Sequence, residues 1–522
     1  MIPETPPSRP ARLPWAGVRV TTASEARALD EAAIAAGLPS RALMRVAGYA
    51  GAAEIAHRHA HRLARGVAVY AGPGNNGGDA WVVAAALSAA GVRVTMRAVG
   101  EPKTADAQAE RAASRHLELG APRGGEEIVV DGLLGVGARG APTGAIAQAI
   151  AEVRACRDRG ATIVALDIPS GVDADSGEAY GDQSVRAHVT LAFGTLKRGL
   201  LVARAQAGAI VVLDIGLALA ATSDTTLADA RGVKARLPAM PASAHKGSRG
   251  KVLIVGGASG MSGAVILAAR SALAAGAGLV RVVAHADSLG AVQAAVPQAL
   301  TTPWPTLDAD ALALATWADA IVIGPGLGTE GTRERVQQLL GAAPTPTVLD
   351  ADALNAFAGD AAALGVLLGG RPALVTPHSR EFARLSGLDV AAVLGARFDA
   401  GRPLARTLGC AVLLKGVPTV ITDVDGRVVV SATGTPALAT GGSGDVLAGL
   451  AGALMAGGRT GADAGACAAW LHGRAAELAQ GARSARAISL EDVIVALPSL
   501  WDEALPALRV PVLAELPAVR ES

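Results

Sequence analysis

Gly441, Gly442, Ser443, Gly444 and Asp445 stand in a row, behind Ala439-Thr440 and ahead of the apolar run Val446-Leu447-Ala448-Gly449-Leu450. Glycines let a backbone turn tightly and aim several N–H groups at one point. The helix pattern that follows adds its own unpaired N–H groups and the positive end of its dipole. Together they make a cradle for an anion, above all phosphate. An aspartate beside such a cradle repels its ligand. It makes sense there if it takes a proton from a hydroxyl that then attacks phosphorus. The plain alternative is an acid in the first turn of a helix behind a glycine-rich loop.

A second group lies in the first half of the chain. Three short apolar runs each end in polar residues: Asn75-Asn76-Gly77-Gly78-Asp79, Asp131-Gly132-Leu133-Leu134-Gly135-Val136-Gly137, and Asp167-Ile168-Pro169-Ser170-Gly171. Gly72, Gly74 and Gly77 spell a dinucleotide-binding fingerprint, but the match is weak. The acid Glu101 lies about 30 residues beyond Gly72, where about 20 is expected. Two asparagines and an aspartate also offer side-chain oxygens that a plain pyrophosphate loop does not need. Oxygen-rich loops at one sheet edge suit a hard cation and a polar ligand. Asn, Gly and Asp also favour ordinary turns.

Short buried-strand patterns alternate with helical stretches and must position these residues. In the first half strands are expected at 67–71, 92–99, 128–130, 162–166, 189–193 and 210–213. In the second half they are expected at 251–255, 279–284, 320–323, 348–349, 373–376 and 411–414. Alternation of this kind gives α/β architecture with mostly parallel sheets, whose ligands sit at the carboxyl ends of strands. At 522 residues the chain exceeds a single core, and two or three domains are expected. Hydrophobic residues make up 51% but aromatics only 2%, so the apolar mass is Ala, Val and Leu, suited to close α/β packing.

The net charge of +1 argues against a nucleic-acid scaffold. No apolar run reaches the roughly 18 residues of a spanning helix. Cys156, Cys410 and Cys467 are widely spaced and fit a reducing cytoplasm. Residues 1–20 read as a flexible Pro-rich tail, 21–221 as a first domain, 222–243 as a linker marked by Pro238 and Pro241, and 244–505 as a second domain.

Residues from about Ser24 to Ala220 resemble the epimerase domain of the NAD(P)H-hydrate repair enzymes. The resemblance rests on the three strand-end loops above together with Phe193-Gly194-Thr195-Leu196-Lys197. It implies a Rossmann-like α/β/α sandwich that interconverts the R and S forms of the hydrate at C6. It implies substrate contacts from Asn75, Asn76, Gly77, Gly78 and Asp79, from Gly135, Val136, Gly137, Ala138, Arg139, Gly140 and Ala141, and from Asp167. It places a potassium ion on Asn76, Asp131 and Ser170. Ring opening and reclosure at C6 need acid–base help, for which Asp167 and Lys197 are the titratable candidates. Asp167 as a turn acid before Pro169, and Lys197 as a solvated charge, remain open. The family pattern is broken at Ala80-Trp81, where Gly is usual, and at Arg45, where Glu is usual.

Residues from about Ala244 to Leu500 resemble the ADP/ATP-dependent hydrate dehydratase of the same repair system, a ribokinase-like α/β domain. The motifs are His245-Lys246-Gly247, Gly324 to Gly328, Asp350 to Asn355, Thr376-Pro377-His378, Lys415 to Thr419, and Gly441 to Asp445. The resemblance implies hydrate contacts from Ala264, Gly326, His378 and Asp445. It implies adenine-nucleotide contacts from Lys415, Gly416, Val417, Pro418, Thr419 and Gly444, with Gly441, Gly442 and Ser443 completing the phosphate cradle. Asp445 would be the base, and Mg²⁺ would accompany the ADP or ATP. Ser379-Arg380 replace the usual Pro-Gly after the histidine. His378 and Lys415 also have plain uses, as a helix cap and a solvated charge.

The implied substrates are NADHX, NADPHX and ADP or ATP, with no nucleic-acid or membrane partner, in a cytoplasmic homo-oligomer. Fused chains of this kind favour ADP. Two other functions fit: a ribokinase-like kinase of a vitamin precursor, and a non-enzymatic nucleotide-binding module in the first half.

Overall fold

The computed structural model describes residues 15, 17–217, 224–505, 507 and 509–519. One sheet has eight strands in the spatial order Val512–Leu516, Ala209–Leu213, Val189–Phe193, Thr162–Leu166, Ile128–Gly132, Val67–Ala71, Val94–Ala98, Glu118–Leu119. All its pairs are parallel except that of Val512–Leu516, which runs antiparallel to Ala209–Leu213. The strands at 67–71, 128–132, 162–166 and 189–193 are buried at every residue. That accounts for their unbroken Val, Ile, Leu and Ala, since a parallel sheet is covered on both faces.

The other sheet has ten strands, ordered Thr225–Leu227, Val428–Ser431, Thr419–Thr422, Ala411–Leu414, Ala373–Val375, Thr347–Leu349, Ala320–Ile323, Lys251–Val255, Leu279–Ala284, Leu300–Pro303. Thr419–Thr422 runs antiparallel to both its neighbours, and the remaining pairs are parallel. Helices Ser262–Ala274, Ser443–Ala456 and Gly461–Gln480 pack over one face in an Ala- and Leu-rich core.

Both sheets are wound the same way. In the first, Val67–Ala71 lies between its successor Val94–Ala98 and the later strand Ile128–Gly132. In the second, Lys251–Val255 lies between Leu279–Ala284 and Ala320–Ile323. Each arrangement opens a crevice where the winding reverses, the usual ligand position in such sheets. Loop 72–75 faces 133–137 across the first crevice. Loop 256–261 faces 324–328 across the second, joined by Gly257 N–H to Pro325 O (2.9 Å) and Ala258 N–H to Gly326 O (2.7 Å).

The expected boundaries need correction at the join. Part of the stretch read as linker is structured. Thr225–Leu227 is an edge strand of the second sheet, followed by a short helix at Ala230–Lys234. The chain end beyond 505 returns to the first half as strand Val512–Leu516. Of the residues read as a tail, 1–14 and 16 lie outside the described residues, while Val20–Thr21 pairs in parallel with Leu196–Lys197. One apolar cluster runs through the join, including Val20, Ile168, Leu196 and Ala514 beside Leu227, Phe398, Val420 and Val430.

Candidate functional site

Two sites follow from the two crevices. In the first half the chain leaves strand Val67–Ala71 and enters helix Asn75–Ala89 almost at once, with Gly74 as N-cap. The predicted loop Asn75–Asp79 is therefore a helix N-terminus, rich in free N–H groups. A Cβ at Gly72 would lie 1.8 Å from Leu133 O, so only glycine lets the two loops close on each other. The cavity above them has a volume of about 640 Å³. Asn75, Asn76, Asp79, Gly135, Val136, Gly137, Ala138, Asp167 and Lys197 line it, with Asp30 and Lys103.

Lys197 is 2% exposed. Its Nζ donates to Asp167 Oδ1, to Phe193 O (2.9 Å) and to Thr195 O (3.3 Å). This is no solvated lysine. Asp167 takes a left-handed backbone conformation (φ 60°) that is unfavourable for a side-chain-bearing residue, and Phe193 N–H also donates to its Oδ1 at 3.1 Å. Burial raises the pKa of Asp79 well above the usual carboxylate range, and the charges of Asp167 and Asp30 add to it against Lys197. Asp30, from helix Ala23–Ala35, is pushed up to about 6 by burial; Lys197 opposes this, while Asp167 and Glu31 reinforce it. Asp167, Asp79 and Asp30 thus all interact with the ammonium of Lys197. Asp30 escapes sequence reasoning because it sits inside an amphipathic helix with no motif around it.

Beneath the loops, Asp131 is fully buried. Its Oδ1 accepts from Ser170 Oγ (2.6 Å) and Leu133 N–H (3.2 Å), and its Oδ2 from Ser170 N–H (2.8 Å). Asn76 Nδ2 donates to Leu134 O (2.8 Å) and Leu166 O (3.0 Å), while its buried Oδ1 has no hydrogen-bond partner. Asn76 and Ser170 both bond the backbone of Leu134, the latter by accepting its N–H at 2.9 Å, and a free amide oxygen, a carboxylate and a hydroxyl in one neighbourhood are oxygen donors of the kind a hard cation takes.

Some residues expected to touch the substrate are not part of the cavity lining. Arg139 is drawn to Asp173 and Asp175, 2.8 Å from each, and Arg139, Gly140 and Ala141 do not line the cavity. Gly77 and Gly78 act inside the fold: a Cβ there would meet Gly72 O at 1.9 Å or Met44 at 2.6 Å. The departures from the family pattern are absorbed locally. Arg45 pairs with Glu110 at 2.8 Å, and Ala80 and Trp81 are buried.

In the second half Gly442 (φ 90°) caps helix Ser443–Ala456 and brings Asp445 into its first turn. Lys415, at the end of strand Ala411–Leu414, donates from Nζ to Asp350 Oδ1 (2.7 Å) and lies 3.7 Å from Glu381 Oε2. Thr376 Oγ1 donates to the same Asp350 oxygen at 2.9 Å. A Cβ at Gly444 would lie 3.2 Å from Lys415 Nζ and 3.5 Å from Asp350, so the anion cradle and this ion pair touch. Burial works against the charge on Lys415, but Asp350 and Glu381 outweigh it and raise its pKa. Burial pushes Asp445 up to about 7; Asp350 adds to the rise and Lys415 opposes it.

At the second crevice Ala264 and Gly326 meet. A Cβ at Gly326 would lie 3.0 Å from that of Ala264. His378 is the N-cap of helix Ser379–Ser386: its Nδ1 accepts from Arg380 N–H (3.1 Å) and Glu381 N–H (3.2 Å), while Glu381 accepts from His378 N–H (2.8 Å). The Ser379-Arg380 departure is thus the first turn of a helix.

Sequence comparison agrees with this division. Residues 252–498 match the family described as NAD(P)H-hydrate dehydratase, and residues 40–199 match the family described as YjeF-related protein N-terminus. A bifunctional NAD(P)H-hydrate repair enzyme from Moorella thermoacetica is 35% identical over 520 residues, spanning 92% of this chain and 96% of the relative. The chain belongs to the bifunctional NAD(P)H-hydrate repair enzyme family. The Escherichia coli member is 34% identical over 81% of this chain and 82% of its own. Among solved structures, the ADP/ATP-dependent NAD(P)H-hydrate dehydratase of Bacillus subtilis, co-crystallised with ATP/Mg²⁺, is 30% identical. It spans 52% of this chain and 96% of its own, with a TM-score of 0.45. In this repair-family chain, no helix among the described residues is long and apolar enough to cross a membrane.

Proposed function

We propose that the chain repairs hydrated NADH and NADPH in two steps. The first half interconverts the R and S hydrates at C6, and the second dehydrates the S form at the expense of ADP or ATP. The observation that carries the residue assignment is Asp445, a carboxyl with a pKa of about 7 in the first turn of a helix whose cap is an anion cradle. A base poised near neutrality beside a phosphate site can deprotonate a hydroxyl as it attacks phosphorus.

In the dehydratase, Ala264, Gly326 and His378 border the hydrate. Gly441, Gly442, Ser443 and Gly444 cradle the transferred phosphoryl, and Lys415, Gly416, Val417, Pro418 and Thr419 hold the nucleotide. Asp445 takes the proton of the C6 hydroxyl. That oxygen bonds to the terminal phosphorus, and AMP or ADP leaves. The ring nitrogen then expels phosphate with its lone pair. Loss of a C5 proton restores the dihydropyridine. Hydroxide leaves poorly and phosphate leaves well, which is why a nucleotide is consumed. Lys415, kept cationic by Asp350 and Glu381, faces the charge that develops on the phosphoryl oxygens. Magnesium belongs with the nucleotide phosphates, where it supplies positive charge.

In the epimerase, Asp167 and Lys197 exchange protons with the C6 oxygen and ring nitrogen as the ring opens and recloses on its other face. Asn76, Asp131 and Ser170 would hold the potassium ion, and the free Asn76 Oδ1 supports that assignment. When bound, the ion supplies positive charge under the loop that faces the nucleotide. ADP as the preferred donor, a homo-oligomeric state and a cytoplasmic location complete the proposal. The three cysteines, all buried and unpaired, suit such a location.

The test is an assay of S-hydrate with ADP or ATP, following regenerated NADH. Asp445→Asn is expected to abolish regeneration and keep R-to-S exchange. Full regeneration in that variant would remove Asp445 from its role.

A further inference from the structure

The turn between helices Val390–Gly395 and Gly401–Leu408 touches both halves through three consecutive residues. Arg397 faces the loop assigned to the nucleotide. Its Nη1 donates to Pro418 O at 3.1 Å and to Lys415 O at 3.4 Å. A Cβ at Gly416 would lie 2.3 Å from the same nitrogen, so the guanidinium is packed directly against the loop backbone. Val417 projects outward, 71% exposed, so the loop has little apolar anchorage there.

The next two residues face the first half. Phe398 is 6% exposed and belongs to the apolar cluster that contains Ile168, Leu196 and Leu200. The Arg198 guanidinium lies 5.2 Å from its ring centroid. Asp399 Oδ2 accepts from Arg198 Nη1 at 2.6 Å. Arg198 is itself 8% exposed and directly follows Lys197. Arg198 thus grips Phe398 by its face and Asp399 by its carboxylate, which fixes the turn from two directions.

We propose that Arg397 is a positioning residue for the nucleotide loop, and that its anchor is the first half, through Phe398, Asp399 and Arg198. The epimerase half is then a structural part of the dehydratase's nucleotide site. This rests on the assignment of Lys415 to Thr419 to the nucleotide. One nitrogen, Nη1, holds both carbonyls, and the rigid planar head to which it belongs fixes its direction in a way a freely rotating ammonium does not. A turn held at one end alone would let that nitrogen drift, and the carbonyls it fixes would drift with it.

The full-length chain is assayed at saturating S-hydrate with ADP or ATP varied. Arg397→Lys is expected to raise the nucleotide KM roughly tenfold with kcat changed less than about twofold, the signature of lost ground-state binding. Asp399→Arg is expected to raise it roughly three- to tenfold. The exchange Arg198→Asp with Asp399→Arg is expected to bring it at least about twofold back toward wild type, because the pair is re-formed with its signs reversed while the contact with Phe398 and the one between Arg402 Nε and Asp399 Oδ1 (3.5 Å) are lost. A part that only stabilised the fold would lower kcat and the unfolding temperature without this KM pattern or this rescue. Asp399→Asn supplies a milder variant if the reversal impairs folding, and it is expected to raise KM in the same direction. An unchanged nucleotide KM in Arg397→Lys, or no rescue in the exchange, overturns the inference. If Lys415→Ala leaves the nucleotide KM unchanged, the loop assignment itself fails and the inference falls with it.

Discussion

At Asp445 one carboxyl carries opposite demands. Its pKa near 7 means that the folded protein holds the proton more tightly than the unfolded chain, whose ordinary value is 3.8. Stability from this group is present below the unfolded value and is lost as pH rises through about 7. Asp445→Asn is therefore expected to raise the unfolding temperature at pH 8 but not at pH 3, while cutting dehydration by about 10²-fold or more. Dehydratase kcat/KM is expected to rise with pH through about 7 as Asp445 ionises, and a flat profile there would count against it as base. In the first half, Asp167→Asn and Lys197→Met are each expected to slow R-to-S exchange by about 10²-fold or more, read by chromatography of the two hydrates.

These residues were legible because they sit in motifs at strand ends. Asp30 was not, since a carboxylate on a helix reads as solvated until the fold turns it into the cavity. His378 was legible in its plainer sense, as a cap. For Arg139 the sequence could not show that Asp173 and Asp175 pair with it.

Among elements, the strand-to-helix turns decide the sites. Gly72→Ala would drive a methyl into Leu133 O, 1.8 Å away, and both loops of the first crevice would separate. A loss of about 2 kcal/mol or more is expected, measured as a shift in denaturant midpoint, together with loss of epimerisation. The buried strands were readable from their continuous Val, Ile and Ala, and most bounds agree within two residues. Eight strands were not expected, Thr225–Leu227 and Val512–Leu516 among them. Thr225–Leu227 follows the polar run Thr222-Ser223-Asp224 and carries no periodicity of its own. Val512–Leu516 gains its identity by pairing with Ala209–Leu213, a partner that local sequence cannot indicate.

For the whole molecule, that last strand ties the chain's end to the first half. Arg204 donates to Pro517 O and, at 3.2 Å, to Ala432 O, so it joins the returning strand to the second half. Removing residues 511–522 would expose the edge of Ala209–Leu213 and leave this buried guanidinium short of an acceptor. The truncated chain is expected to unfold at lower temperature and to aggregate on heating, as followed by light scattering.

The central claim, two sites acting in series on one hydrate, is tested most directly by supplying a mixture of R and S hydrate with ADP or ATP. Wild type is expected to return the whole mixture as NADH, Asp167→Asn only the S share at the wild-type rate, and Asp445→Asn none while still exchanging R and S. A stable phosphorylated product without NADH, or complete and equally fast recovery of the R form by Asp167→Asn, would contradict it.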